Sequence, residues 1–146
     1  MKSVANSAWR PLAAAIALVL FASGTYSVGA LGADIKVTLD GDQEVPAVKT
    51  AAKGSGTIVI GDDKSVSGSV TTTGVMGTAA HIHEAAAGKN GGVIVPLTKS
   101  GDNAWSVAAG AKLTDAQYAS FKAGNLYVNV HSAANAGGEI RGQLKP

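Results

Sequence analysis

Hydrophobic and polar residues alternate along most of the chain beyond residue 34. Ile35, Val37 and Leu39 share one face of an extended segment, and similar runs rich in Val, Ile and Thr recur between clusters of Gly, Asp, Asn and Lys. A period of two residues is typical of half-buried β-strands. The pattern predicts about eight strands, at 35–39, 57–60, 65–73, 79–84, 93–97, 104–108, 126–131 and 139–144.

One segment departs from this period. Thr114 is a typical N-cap residue, Gln117 follows it at the spacing of a capping box, and Gly124 stands where a helix would end. The segment predicts one short helix near residues 114–123. Since no other helices alternate with the strands to cover a parallel sheet, we expect an all-β domain, an antiparallel sandwich or barrel.

The first 33 residues have a different composition. They contain Lys2 and Arg10, no acidic residue, and an apolar run from Leu12 to Ala22. That run is shorter than the roughly 20 residues that span a bilayer, and small residues follow it, as in secretion signals. We expect residues 1–33 to be a signal peptide cleaved after Ala30 or Ala33. Residues 34–146 then form one periplasmic or secreted domain without a membrane anchor.

The charge balance and the absence of cysteine exclude several classes of function for this mature domain. Lys2 and Arg10 account for the formal net charge of +2, and the remaining chain carries ten basic and ten acidic residues. No basic cluster is left to bind a nucleic acid. The absence of cysteine excludes disulfides, thiolate metal sites and cysteine nucleophiles. The sequence also lacks a nucleophile elbow and a phosphate-binding glycine motif.

The candidate chemistry lies in the three histidines of the chain. His81 and His83 flank Ile82 in one predicted strand, so both imidazoles project from the face opposite Ile82. His131 ends another predicted strand, on the face opposite its apolar residues. If these two strands are neighbours, three imidazole nitrogens converge. Such an arrangement binds zinc or copper and leaves a coordination position open.

Carboxylates near these motifs are candidates to orient an imidazole. Three are close in sequence: Glu44, Glu84 and Glu139. Glu84 faces away from His83 if the strand continues through it. The spacing also leaves another interpretation open, in which each histidine is exposed or satisfied individually by hydrogen bonds.

Five strings of residues together resemble the CHRD domain, the module named after chordin. They are 39–48 (LDGDQEVPAV), 80–83 (AHIH), 113–114 (LT), 127–132 (YVNVHS) and 135–144 (NAGGEIRGQL). The resemblance covers residues 35–144 in the order of the family. It implies an exported bacterial protein with an immunoglobulin-like or Cu,Zn-superoxide-dismutase-like Greek-key β-sandwich and no assigned enzymatic activity. The recurring polar positions of the family correspond to Glu44, His81, His83, His131, Glu139 and Arg141.

Three functions are compatible with this reading. The first is a binding module in which His81, His83 and His131 hold a metal ion, with copper favoured over zinc. The second is a structural or adhesive domain in which Glu44, Glu139, Arg141 and the histidines form a hydrogen-bonded network, and loops bind another extracytoplasmic protein. The third is a copper-dependent redox enzyme that uses the open coordination position.

Overall fold

The computed structural model describes residues 32–146, which form eight strands and two short helices. The strands are β1 (Gly32–Asp40), β2 (Lys53–Gly61), β3 (Val66–Thr73), β4 (Gly77–Glu84), β5 (Gly92–Gly101), β6 (Ala104–Val107), β7 (Leu126–Ser132) and β8 (Ile140–Leu144). A 3-10 helix, Gly41–Gln43, follows β1, and the α-helix α1, Asp115–Lys122, lies between β6 and β7. Residues 1–31, which include most of the predicted signal peptide, lie outside the described residues.

All strand pairs are antiparallel, and the strands form one closed barrel in the order β1-β2-β3-β6-β5-β4-β7-β8. The number of strands, their antiparallel pairing and the single short α-helix confirm the sequence prediction. β3 lies beside β6 and β7 lies beside β4, which are Greek-key connections.

The structure has one closed barrel where the family resemblance implied a β-sandwich. Val70 of β3 pairs with Trp105 of β6, and Asp40 of β1 pairs with Arg141 of β8, so strand pairing continues around the whole barrel. Closing the sheet in this way removes the unpaired strand edges. Alternation along each strand is identical in a sandwich and in a barrel, which is why the sequence did not distinguish them.

Apolar side chains fill the barrel. An eight-stranded barrel has an interior just wide enough to be packed by side chains, and burying each large aliphatic one contributes about 1.5–3 kcal/mol. The buried aliphatic residues include Ile35, Val37, Leu39, Ile58, Ile60, Val70, Ile82, Val128, Val130 and Ile140. Because the core occupies the interior, any polar site built on these strands must lie on the outer surface.

The helix α1 forms as the sequence predicts and packs on this core. The Thr114 side chain accepts a hydrogen bond from the backbone N–H of Gln117, and the Gln117 side chain accepts one from the backbone N–H of Thr114. Phe121 is the buried residue of the helix and joins the hydrophobic core. Within residues 32–146, no helix is long and apolar enough to cross a membrane.

Candidate metal centre

A polar face covers the outside of the barrel where β4, β7 and β8 lie side by side. Ala80, Ile82, Val128 and Val130 point into the core, so the residues between them project outward. The outward residues are His81 and His83 on β4, Tyr127, Asn129 and His131 on β7, and Arg141 and Gln143 on β8. Pairing of β4 with β7 therefore places all three histidines on one face, as the sequence suggested for neighbouring strands.

The three imidazoles converge at one point of this face. One ring nitrogen from each of His81, His83 and His131 lies within 4.8 Å of those of the other two. The ring centroids of His81 and His131 are 4.9 Å apart, and His81 Nδ1 lies 3.0 Å from His131 Nε2. In the described part of the chain this is the group of metal-ligating side chains close enough to share one ion.

Backbone carbonyl groups hold two of the rings in place. His83 Nδ1 lies 3.0 Å from the carbonyl oxygen of Gly91, and His131 Nδ1 lies 2.9 Å from that of Ala136. A carbonyl oxygen only accepts hydrogen bonds, so each Nδ1 carries the proton of a neutral ring and each Nε2 carries a lone pair. An imidazole fixed in this way has an oriented lone pair on Nε2 that can bind a metal ion.

The Nε2 atom of His83 is buried and has no hydrogen-bond partner. A buried acceptor without a partner costs about 1–3 kcal/mol. The ring cannot easily turn to relieve this cost, since it stacks on Tyr127 with the ring planes 9° apart and its Nδ1 is bound to the Gly91 carbonyl. A cation among the three histidines would satisfy this lone pair, so the residues present fit a metal ion.

The electrostatic environment favours the neutral form of His81 and His83. Burial lowers the pKa of His81, and the neighbouring His131 and His83 lower it further. Burial also lowers the pKa of His83, while the Gly91 carbonyl acts in the opposite direction. Neutral imidazoles are the form that binds metal ions, so these side chains are available as ligands near pH 7.

Arg141 is buried beneath the loop that follows β4. Its guanidinium lies over the Tyr127 ring, with Cζ 3.5 Å from the ring centroid. It donates hydrogen bonds to four acceptors: the carbonyl oxygens of Lys89 and Ala86, Asn90 Oδ1 and Gln143 Oε1. Arg141 thereby ties residues 86–90 to the barrel and holds the segment that leads to the Gly91 carbonyl against His83.

The three candidate carboxylates occupy different environments. Glu139 accepts hydrogen bonds from Thr50, at 2.7 Å, and from Ser132, and these bonds lower its pKa. Glu84 accepts a hydrogen bond from Ser120 of α1 at 2.5 Å, on the side of β4 away from the histidines. Neither bonds to an imidazole, and the positions expected for carboxylates next to His83 and His131 are taken by backbone carbonyls.

Glu44 is the carboxylate that interacts with Arg141 and Asn129 of the polar face. It is buried, its Oε1 has no hydrogen-bond partner, and burial raises its pKa against the opposing effects of Arg141 and Asn129. Sequence analysis named Glu44 but did not single out Asn129, which lies next to it and is almost fully buried on the histidine face. The alternation that places Asn129 and His131 on the same side of β7 was the available signal.

A cleft of about 540 Å³ lies beside this face. Its walls are the segment from Glu44 to Lys49, Asn90, and the loop containing Asn135, Gly137 and Gly138. Residues 132–139 also supply the Ala136 carbonyl that holds His131. The cleft and the histidine cluster are thus bordered by the same loops.

One known protein family matches nearly the whole described part of the chain. The model of one family, described as the CHRD domain, matches residues 35–144. No curated protein and no solved structure matches the chain.

Proposed function

We propose that this chain, which belongs to the CHRD domain family, is a metal-binding module that holds a copper ion, or less favourably zinc, through His81, His83 and His131. The observation that carries the proposal is the convergence of three imidazole nitrogens around the buried, unpartnered Nε2 of His83. Three nitrogen ligands on rigid strands are a sufficient protein donor set for either metal.

The separation of two ring nitrogens favours copper. His81 Nδ1 and His131 Nε2 are 3.0 Å apart. If both nitrogens kept this separation and each lay about 2.05 Å from one ion, they would subtend an angle of about 94° at the ion. Adjacent ligands of a tetragonal Cu(II) site meet at such an angle, whereas a tetrahedral zinc site needs a wider one.

Calorimetric titration of the mature protein with Cu²⁺ and Zn²⁺ tests this proposal. We expect one ion per chain, tighter binding of copper, and loss of that binding in His83→Ala and His131→Ala. Ser67→Ala, on the exposed part of β3, is the matched control and should bind like the parent. A parent protein that takes up no stoichiometric metal, or histidine variants that bind as tightly as the parent, would refute the function.

Elemental analysis of protein recovered from its native compartment supplies an independent readout. Copper outcompetes other divalent ions at nitrogen ligands in vitro, so the metal found after purification without added salts is the more informative one. We expect copper in that sample. If the sample contains one equivalent of zinc, the three-histidine site stands and the bound metal is zinc in place of copper.

We also propose that the domain is exported to the periplasm or secreted. The support is the N-terminal arrangement of Lys2, Arg10 and the apolar run from Leu12 to Ala22, with small residues after it. Cell fractionation with detection of the mature chain outside the cytoplasm tests this part of the proposal. Retention of the full-length chain in the cytoplasm would refute it.

A structural or adhesive role is the second candidate, favoured by the four hydrogen bonds of the buried Arg141. In that case the polar face would specify the positions of the loops, which would bind another extracytoplasmic protein. His81→Ala would then lower the melting temperature equally with and without copper. A metal site instead predicts that copper raises the melting temperature of the parent and leaves that of His81→Ala unchanged.

A copper-dependent redox activity would require the same three ligands and an open coordination position. Copper-loaded protein with no superoxide turnover, or turnover that survives His131→Ala, would argue against this third role.

A further inference from the structure

We propose that Asn129 supplies a fourth donor to the bound ion through its side-chain oxygen, so that the site is a three-nitrogen, one-oxygen centre. This inference rests on the metal-binding function proposed above. It also assigns a positioning role to Glu44, which orients the Asn129 amide.

The register of the sheet places Asn129 at the middle of the cluster. Asn129 pairs directly with His81 across β4 and β7, while His131 pairs with Ala79 and His83 pairs with Tyr127. The pair of Asn129 with His81 is therefore two register positions, one period of the side-chain alternation, from each of the residue pairs that contain His83 and His131. Among the outward residues of β7, Asn129 lies between Tyr127, which pairs with His83, and His131.

Asn129 and two of its neighbours each have a buried acceptor atom without a hydrogen-bond partner. Four buried side-chain polar atoms in residues 32–146 lack a hydrogen-bond partner, and three of them are the acceptors Glu44 Oε1, His83 Nε2 and Asn129 Oδ1. The Asn129 side chain is adjacent to both His83 and Glu44. A buried acceptor without a donor is destabilising, and a cation bound between the two side chains would satisfy both His83 Nε2 and Asn129 Oδ1.

The orientation of the amide follows from what surrounds its nitrogen. Asn129 Nδ2 donates a hydrogen bond of 3.5 Å to the carbonyl oxygen of Gly137, and a Cβ on Gly138 would lie 2.6 Å from Nδ2 and 2.4 Å from Glu44 Oε1. The amide nitrogen thus faces the acceptors of Glu44 and Gly137. Its oxygen must then point the other way, toward the histidines.

The absence of a side chain at Gly138 makes this arrangement possible. Gly138 has a φ of 134°, which L-residues rarely adopt, and no larger residue would fit between Glu44 and Asn129. The close packing fixes the carboxylate and the amide relative to each other. Glu44 therefore acts on the ion through Asn129 and not as a ligand.

Copper affinity and the electron paramagnetic resonance spectrum of Cu²⁺-loaded protein test the role of Asn129. Asn129→Leu keeps the approximate volume and removes the oxygen, so we expect Cu²⁺ to bind about 10- to 100-fold more weakly with a changed spectrum. Asn129→Asp keeps an oxygen at the same position and adds negative charge, so we expect tighter Cu²⁺ binding. Asn103→Leu, in the exposed turn between β5 and β6, is the matched control and should leave both readouts unchanged.

The outcomes separate this inference from the function on which it rests. If the parent binds Cu²⁺ in a histidine-dependent manner and both Asn129 variants match it in affinity and spectrum, the oxygen ligand is refuted and the three-histidine site stands. If the parent binds no metal, the proposed function fails first. Asn129→Asp decides the question even if Asn129→Leu does not fold, because aspartate and asparagine are nearly the same size and shape.

The positioning role of Glu44 has its own readout. Glu44→Gln retains a side-chain oxygen beside Asn129 Nδ2, so we expect the copper spectrum of the parent. Glu44→Leu removes the acceptor and should shift the spectrum toward that of Asn129→Leu. A spectrum identical to the parent in Glu44→Leu would overturn this role.

Discussion

His81 Nδ1 and His131 Nε2 lie 3.0 Å apart across the β4–β7 ladder, within hydrogen-bonding distance. Since His131 Nδ1 donates to the Ala136 carbonyl, its Nε2 bears a lone pair, and His81 Nδ1 must carry the proton that joins the two rings. A metal ion bound as proposed would take the place of this shared proton. The metal-free and metal-bound forms would then differ in the tautomer of His81.

This relationship predicts the tautomers of all three histidines in the metal-free protein. We expect His81, His83 and His131 to carry their proton on Nδ1 above pH 7, because in each case the partner atom is an acceptor. Long-range ¹H–¹⁵N correlation spectra report the tautomer of each ring. Metal addition should move the proton of His81 to Nε2, and an Nε2–H tautomer for His83 in the metal-free form would contradict the structure.

Acidification should destabilise the metal-free protein. Burial lowers the folded-state pKa values of His81 and His83 below the ordinary value of 6.5, so the unfolded chain binds protons more readily than the folded one. The contribution of these residues to the free energy of unfolding is fully present above pH 6.5. It is lost progressively as the pH falls below 6.5 through the folded-state pKa values.

Urea unfolding at several pH values checks this dependence. His83→Gln cannot titrate, so its free energy of unfolding should fall less between about pH 7 and pH 5 than that of the parent. Glu44 has a raised pKa and acts in the opposite direction, since protonation of a buried carboxyl is favoured in the folded state. A free energy of unfolding that rises on acidification would mean that Glu44, and not the histidines, dominates.

Gly138→Ala should destabilise the protein and weaken the site together. A Cβ at this position meets Glu44 Oε1 and Asn129 Nδ2, and the φ of 134° is strained for alanine, at a cost on the order of 1–3 kcal/mol before any clash. Gly137→Ala is the neighbouring control, because a Cβ there has nothing within 4 Å. Urea unfolding and Cu²⁺ titration of both variants measure the difference, and equal stability of the two would show that the loop adjusts freely.

The structure also favours one of the two proposed cleavage positions. Gly32 and Ala33 belong to β1 and pair with Gly61 and Ile60 of β2. Cleavage after Ala30 retains these two pairs, whereas cleavage after Ala33 removes them, so a chain exported as proposed should begin at Leu31. Intact-mass analysis of the exported protein distinguishes the two, and a chain that begins at Asp34 would show that β1 is stable without its first residues.

The sequence indicated the strands most clearly where both faces have side chains. β2 was predicted only from residue 57, but it begins at Lys53 because Gly54 and Gly56 are part of the strand. A Cβ on Gly56 would lie 2.1 Å from the carbonyl oxygen of Ser69, so close approach to β3 requires glycine there. Two glycines carry no alternation of polar and apolar side chains, and the pattern therefore missed the first half of the strand.

The sequence alone determined the faces of the strands and hence the outward direction of His81, His83 and His131. It also determined the helix α1, since its capping box is local, and the family, since the characteristic strings span residues 35–144. Each of these features depends on residues close together in the chain. They could be recognised without knowing which strands are neighbours.

Tertiary structure decided what lies next to the histidines. β4 and β7 are separated by two strands and a helix, so only the pairing in the barrel brings His131 and Asn129 next to His81. The groups that fix the rings are the backbone carbonyls of Gly91 and Ala136, which every residue possesses and no side-chain pattern reveals. Barrel closure depends likewise on hydrogen bonds between distant strands, because ladder partners are set by packing of the whole sheet and not by local alternation.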